Sequence, residues 1–405
     1  MHFVLSLVKD ELNLKPILNK YEEERGYPPF HPAMMVGLLL YGYSQRIYSS
    51  RRIAKACEER VDFMVLTGQQ QPDFRTINLF RSRHLEELKG LFGQVLKLCQ
   101  KAGLVRLGHV ALDGTKIRAN ASKHQSMSYK QMKKKEGELK AEIDRWFEQA
   151  EAIDAGEDEA YGIGHRGDEL PDWVMDQQKR LEKIQQAKAE LEEEAKAAAQ
   201  APMDPARSKH EAKAKGIPKE NAQKNFTDVD SHIMKGAEGF VQGYNCQAAV
   251  DADSQVIVAQ QVAPNGSDMH QLKPLLQQIR SGLKRQAREV SADAGYCSEH
   301  NLKELCRRHI RGYVASRWQK DSTGRRIRPP AGIGPYLRQM WQRLRRGHHR
   351  SRYRLRKQVV EPVFGQIKQG RGFRQFLLRG AKKVSGEWSL LCTVHNLLKL
   401  AAVFR

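Results

Sequence analysis

The strand-forming sequence of this chain falls into two groups, and the segment between them is built for helix instead. The first group is "HVALDGTKIRANAS", an apolar run from His109 that ends at Asp113 with Gly114 after it. The second opens with "FVQGYNCQAAVDADSQVIVAQQVA", two runs joined by "DADS" that read as an antiparallel pair. Between the groups, from about Ser128 to Ala199, the residues are mostly Lys, Glu, Ala and Gln and carry two heptad series. One runs Met132, Glu136, Leu139, Ile143, Trp146, Ala150, Ile153; the other runs Leu181, Ile184, Lys188, Leu191, Ala195, Ala198. Alternating spacings of three and four mark an a/d seam, and "YGIGHRGDELPDW" supplies the Gly and Pro that reverse the chain. The hairpin and the flexible basic linker after it, "APMDPARSKHEAKAKGIPKENAQKN", therefore read as an insertion into a domain.

Beyond the strand pair the signals alternate. "SDMHQLKPLLQQIRSGL" is a capped amphipathic helix, "EVSADAGY" a strand, "SEHNLKELCRRH" a helix and "IRGYVAS" a strand. From Arg317 to Arg352 the chain reads as Arg-rich and irregular, and "YRLRKQVVEPVFGQIKQG" then reads as one helix despite Pro362. This order predicts a mixed α/β layer fold with helices on both faces of the sheet. Residues 1–105 read as all-helical, with Ser49 and Ser50 as an N-cap before Arg51. Taken as exposed, Arg51, Arg52, Arg75, Arg81 and Arg83 suit a helix-turn-helix-like DNA contact, and a packing domain with a solvated basic face fits the pattern equally. The expected segments are 1–105 (helical), 106–124 (first part of the sheet domain), 125–225 (insertion and linker) and 226–405 (the remainder).

Charge narrows the function. Of 69 Lys and Arg and 47 Asp and Glu, 43 of each precede residue 301, so the net +22 lies entirely in the last 105 residues. There 26 bases face only Glu304, Asp321, Glu361 and Glu387. So concentrated an excess is the footprint of a polyanion partner, with nucleic acid or an anionic membrane surface as the two classes. The longest apolar stretch, Ala33 to Tyr43, is about half the roughly 20 residues of a spanning helix. The opening "MHFVLSLVKDELN" has no basic flank or cleavage site of a signal peptide. Six scattered cysteines (Cys57, Cys99, Cys246, Cys297, Cys306, Cys392) form no disulfide framework, so a reducing cytoplasm is the expected location.

Three carboxylates are placed by position. Asp113 and Asp293 each end an apolar strand, and Glu361 lies on a helix between Lys357 and Lys368 in the most basic part of the chain. Bland roles fit each: a hairpin turn for Asp113-Gly114, a turn or cap for Asp293, a salt bridge to a nearby Arg for Glu361. The chemistry that unites them is phosphodiester cleavage. Two divalent ions, about 3.5 to 4 Å apart, generate the nucleophile and stabilise pentacovalent phosphorus. Hard Mg²⁺ takes carboxylate oxygens.

"VALDGTKIRANASKH", "VSADAGYCSEHNL" and "KQVVEPVFGQIKQGRGFRQFLLRG…EWSLLCTVHNLLKL" resemble the three acidic blocks of bacterial insertion-sequence DDE transposases. "YPPFHPAMMVGLLLYGY" resembles the domain that precedes them in this group. The resemblance spans nearly the whole chain and implies a ribonuclease-H-like catalytic domain. It implies that Asp113, Asp293 and Glu361 form a catalytic triad binding two Mg²⁺ or Mn²⁺. It also implies DNA partners, both element ends and target, and a homodimer on the DNA. Tyr353, Arg356, Glu361 and Lys368 resemble the family's Tyr, Arg, Glu, Lys signature, but Lys357 occupies the strict Arg position, which leaves Arg356 and Lys357 as alternatives. Arg371 and Arg374 complete the expected DNA contacts.

Other chemistries fit less well. Cys297, His300, Cys306 and His309 scatter around a helix and are too closely spaced for a zinc finger. Gly365 to Gly370 lacks the Lys-Ser/Thr pair of a phosphate loop. Asp228, Asp230, Asp251 and Asp253 read as cap and turn residues, with Asp251 the one that could approach the metals. A nuclease of the same fold without strand transfer, and a DNA-binding protein with a decayed site, are the rival functions.

Overall fold

The computed structural model describes residues 1–20, 30–161, 172–200, 216–236, 239–263, 266–316, 328–330, 332–347 and 352–404. Residues 162–171 of the expected turn, 201–215 of the expected linker and 317–327 of the Arg-rich stretch lie outside these. The chain divides into two compact units, one of residues 1–120, 236–238 and 243–405, the other of 121–235 and 239–242.

The first unit opens with the short helices α1 (His2–Ser6) and α2 (Lys15–Leu18), followed by α3 (Pro32–Ser44), α4 (Ser50–Glu59), α5 (Val61–Thr67), α6 (Phe74–Arg83) and α7 (Leu85–Lys101). Pro32 at the first turn and the His31 ring accepting from the Ala33 amide start α3, whose residues from Met35 to Tyr43 are all buried. Gly68, with φ of 61°, ends α5, and the Asp73 carboxylate caps α6 through the amides of Arg75 and Thr76.

After α7 comes β1 (His109–Arg118), and the second unit follows it. That unit contains β2 (Ser126–Ser128), α8 (Tyr129–Tyr161), α9 (Asp172–Gln200), β3 (Gln223–Asn225) and β4 (His232–Gly236). β2 and β3 pair antiparallel from Ser126–Asn225 to Ser128–Gln223 and form a stem below the helices. Met132, Leu139, Ile184, Ala187 and Leu191 make the hairpin's own core. The two charged residues of the heptad seams meet across it: Lys188 Nζ lies 2.7 Å from the Glu136 carboxylate. Lys188 and Lys140 hold the Glu136 pKa down to about 2. Because the hairpin closes on itself, replacing residues 129–222 with a short Gly-Ser bridge from Ser128 to Gln223 is expected to leave the first unit folded. Far-UV circular dichroism and a cooperative melt check this, and insoluble protein would show that the hairpin is needed.

The strands of the first unit are β1, β5 (Gly239–Asp251), β6 (Ile257–Ala263), β7 (Glu289–Ala292) and β8 (Arg311–Val314). The first four residues of β5 group with the second unit, where β4 pairs with this strand. β1 lies between β5, antiparallel to it, and β7, parallel to it; β6 pairs antiparallel with β5, and β8 parallel with β7. The helices are α10 (Leu272–Leu283), α11 (Glu299–Arg307), α12 (Pro335–Gly347), α13 (Leu355–Gly365) and α14 (Ala381–Ala401). This is the mixed sheet with flanking helices that the ribonuclease-H-like resemblance implies. No helix among the described residues is long and apolar enough to cross a membrane.

Four expectations change. Residues 317–352, read as irregular, contain α12. The expected single helix over Glu361 and Lys368 passes from α13 into a π turn, Gln366–Gly370, so the two residues are not in regular α-helical register. Asp113, expected to end its strand, is the fifth of the ten residues of β1 and pairs with Ala248 of β5, and the helices packed beside this sheet include N-terminal ones, α14 lying on α7, α3 and β6. Arg81, expected to be exposed, is 4% exposed and donates to the Tyr43 hydroxyl and to Asn78, so it is a core residue rather than a DNA contact.

Candidate active site

β1 runs through the middle of the sheet, and Val110, Ala111 and Leu112 are fully buried. Its parallel register with β7 pairs Ala111 with Ser291. Asp113 and Asp293 each stand two residues beyond that pair, so equal offset on neighbouring parallel strands sets them side by side. β7 ends at Ala292, and the Asp293 carboxylate accepts from the Gly295 amide at 2.9 Å, capping a single 3₁₀ turn. Burial pushes the Asp113 pKa up to about 6; Asp293 and Asp268 add to the rise and Arg356 opposes it. Asp293 is raised as well, by burial first and then by Asp268.

α13 packs on β1 and delivers Arg356, whose Nη1 lies 2.5 Å from Asp113 Oδ2. Arg356 is 8% exposed, whereas Lys357 is exposed to solvent. Of the two alternatives for the basic position, Arg356 is therefore the one beside the carboxylates. The Tyr353 hydroxyl hydrogen-bonds with Arg356. Lys368 Nζ donates to Thr115 Oγ1 and the Lys116 carbonyl, both at 3.3 Å, two and three residues along β1 from Asp113. Glu361 is solvent-exposed on α13. The structure thus brings together Asp113, Asp293, Arg356, Tyr353 and Lys368 and leaves Glu361 on the outer surface of its helix.

The other expected contacts divide. Arg374 is exposed and donates to Gln369. Arg371 is a correction: it is 8% exposed, bonded to the His395 ring at 3.1 Å and to the Gln366 carbonyl, and burial lowers its pKa. A side chain so enclosed has no face for a phosphate. Asp251 is fully buried and accepts from the amides of Arg106, Leu107 and Asp253, which makes it the turn residue of the bland reading.

One carboxylate was missed. Asp268 Oδ1 accepts from Asn245 Nδ2 and Gln247 Nε2, both at 2.7 Å, and a Cβ on Gly295 would stand 3.0 Å from its Oδ2 and 3.1 Å from Asp293 Oδ1. Gln247 pairs with Gly114 across β5 and β1, and a Cβ on Gly114 would lie 2.9 Å from Asp268 Oδ1. Asp268 therefore approaches β1 at Gly114, beside Asp293, and its charge acts on both Asp293 and Asp113. The sequence signal was a glycine close after each aspartate, Gly114 one residue past Asp113 and Gly295 two past Asp293, where backbone and carboxylate approach closely.

Among the described residues no three His, Cys, Asp or Glu side chains are arranged to hold a metal ion. The donor chemistry of Asp113 and Asp293 nevertheless fits a hard divalent cation. Asp113 already draws a cation to itself, with Arg356 supplying the positive charge. A carboxyl raised from 3.8 to about 6 favours the fold most below about pH 4, and that contribution is lost as pH rises through 6. Mn²⁺ binding must displace that proton, so affinity is expected to fall about tenfold per pH unit below pH 6. Calorimetry in buffers of different ionisation enthalpy measures the proton release, and an affinity flat between pH 5 and 7 would contradict it.

The mixed sheet with its flanking helices is of the ribonuclease-H-like class, and the family matched by its sequence is one of phosphoryl-transfer enzymes. Residues 221–397 match the family described as the transposase DDE domain, and residues 3–83 match the transposase domain DUF772. The chain belongs to the DDE transposases of insertion sequences. The DDE match contains Asp293 and Glu361 but begins after Asp113, which the hairpin separates from it in sequence. No curated protein matches the chain, and no solved structure does.

Proposed function

We propose that this transposase binds the terminal inverted repeats of its own insertion sequence, cuts at their ends and joins them to target DNA, acting as a homodimer on the DNA. The observation that carries this reading is the equal offset of Asp113 and Asp293 beyond the Ala111–Ser291 pair, with Arg356 and Lys368 beside them. Asp113 and Asp293, joined by Glu361 once its side chain turns inward from α13, would hold two Mg²⁺ or Mn²⁺. Such ions supply the nucleophile and stabilise charge at phosphorus. In the first step a water oxygen bonds to phosphorus as the bond to the element's 3′ oxygen breaks. In the second that 3′ oxygen attacks a target phosphorus, and a target 3′ oxygen leaves.

The protein's own groups hold the strand. Arg356 is free to pair with a phosphate once Asp113 takes up a different cation, and Lys368, Tyr353, Lys357 and Arg374 flank the same path. Exposed Arg51, Arg52, Arg75 and Arg83 suit end binding by the N-terminal helices, where Ser50, Arg51, Phe74, Arg75 and Asn78 line a groove. The test is a linear duplex carrying one element end, incubated with protein and Mg²⁺. A nick at the element boundary that leaves a 3′-OH supports the reading; no cut in Mg²⁺ or Mn²⁺, or cuts scattered without regard to the boundary, would overturn it.

A further inference from the structure

The 39 residues from Ser322 to Val360 contain twelve Lys and Arg and no Asp or Glu, and α12 lies among them. Its exposed positions after Pro335 are Arg338, Gln339, Gln342, Arg345 and Arg346. Their spacing of one, four, seven and eight from the first puts all five on one face of a helix. Leu337, Met340, Trp341 and Leu344 make the opposite face, with Met340 5% exposed.

That inner face is fixed to the fold at several points. The Glu299 carboxylate, at the start of α11, accepts from the amides of Tyr336 and Leu337, both at 3.0 Å, and so caps α12. Arg343 Nη1 donates to the Gly312 carbonyl at 3.0 Å, and the Met340 sulfur accepts from the Val314 amide at 3.4 Å. Both bonds go to β8, which ends the hydrogen-bonded order of the sheet. A Cβ on Gly312 would stand 3.2 Å from the end of Met340, so the helix lies close on that strand. The Arg345 guanidinium sits over the Trp341 ring at 5.3 Å.

We propose that α12 reads base pairs of the element end from the major groove of duplex DNA. The inference rests on the DNA-transposase reading and deepens it, because it names a surface for sequence recognition outside the N-terminal helices. An ordinary solvated helix face mixes both signs of charge; this one carries only Arg and Gln, which favours a polyanion. Arg pairs in bidentate fashion with guanine O6 and N7, and Gln with adenine N6 and N7. A helix of 13 residues, roughly 20 Å long, fits a groove about 12 Å wide. Glu299, which holds the helix N-terminus, is six residues along the chain from Asp293, so the bases read are those next to the cut.

The glutamines make the test sharp, because they carry no charge. Full-length protein is titrated in Ca²⁺ by fluorescence anisotropy with a duplex bearing one terminal inverted repeat and with a scrambled duplex of equal length. For Gln339→Ala with Gln342→Ala, affinity for the repeat is expected to fall roughly tenfold or more while affinity for the scrambled duplex stays the same. Arg345→Lys keeps the charge and removes the fork, so it should lower discrimination without changing the salt slope. All three positions are exposed, and an unchanged melting temperature shows that the variants fold. If wild type prefers its repeat and both variants keep that preference, α12 is not the reader and this inference alone falls. If wild type binds both duplexes equally, the end-binding reading fails and this one with it.

Discussion

Asp113→Asn, Asp293→Asn and Glu361→Gln are each expected to reduce strand cleavage by about three orders of magnitude or more, and the triple variant to fall no further. Groups that act through one shared pair of ions lose their function together, which is why the losses do not add. The two aspartates are held side by side by strand register, so their substitution removes neighbouring ligands. Glu361 is the more demanding case, because its carboxylate is exposed on α13. Glu361→Gln should leave DNA affinity without metal unchanged or slightly stronger, since a carboxylate repels phosphate. Gel-based cleavage of an element-end duplex measures the set, with Asp268→Asn alongside. If Glu361→Gln keeps near-normal cleavage, the third ligand is elsewhere, and Asp268 is the next residue to examine.

The largest stability effect is expected at Glu387. This residue of α14 is 1% exposed and carries a carboxylate accepting from the Tyr43 hydroxyl at 3.3 Å and from the amides of Leu377 and Leu378 at 3.0 and 3.1 Å. Arg81 is the nearby charge that stabilises its ionised form, and it donates to the same Tyr43 hydroxyl at 3.0 Å. Glu387→Ala leaves that buried guanidinium without a counter-charge and two amides without an acceptor, a cost of about 3–5 kcal/mol. Glu387→Gln keeps an acceptor for the amides and should cost less. Urea unfolding followed by circular dichroism gives both values; a loss below about 1 kcal/mol for the alanine variant would mean that water enters and replaces the network.

Much of this was legible in the sequence because it depends on period. The buried run into Asp113, the strand end just before Asp293, the antiparallel pair and the heptad hairpin all follow from apolar spacing, although β1 continues past Asp113 to Arg118, and the Glu136–Lys188 bridge joins the two charged members of those heptads. Period also announced α12 through Leu337, Met340, Trp341 and Leu344, but arginine content obscured it. What was not legible depends on partners far apart in the chain. Arg81 and Arg371 look like surface cations in sequence and are buried, because the Tyr43 hydroxyl, itself bonded to Glu387 of α14, receives Arg81 and His395 of α14 bonds to Arg371. Nothing local distinguishes Arg356 from Lys357; the choice is made by which of them α13 turns toward β1. Asp268 belongs to a loop whose role is set by two amide side chains on β5.

A protein that both cuts and joins should join a pre-cut element end without any cleavage of its own. A duplex carrying the element's terminal repeat with an exposed 3′-OH is incubated with supercoiled target plasmid, Mg²⁺ and either wild-type protein or Asp113→Asn. The expected result is covalent attachment of the labelled 3′ end to the plasmid by the wild type alone. Nicked plasmid without joined label would make the protein a nuclease, and joining of equal yield by Asp113→Asn would place the chemistry away from the Asp113–Asp293 pair.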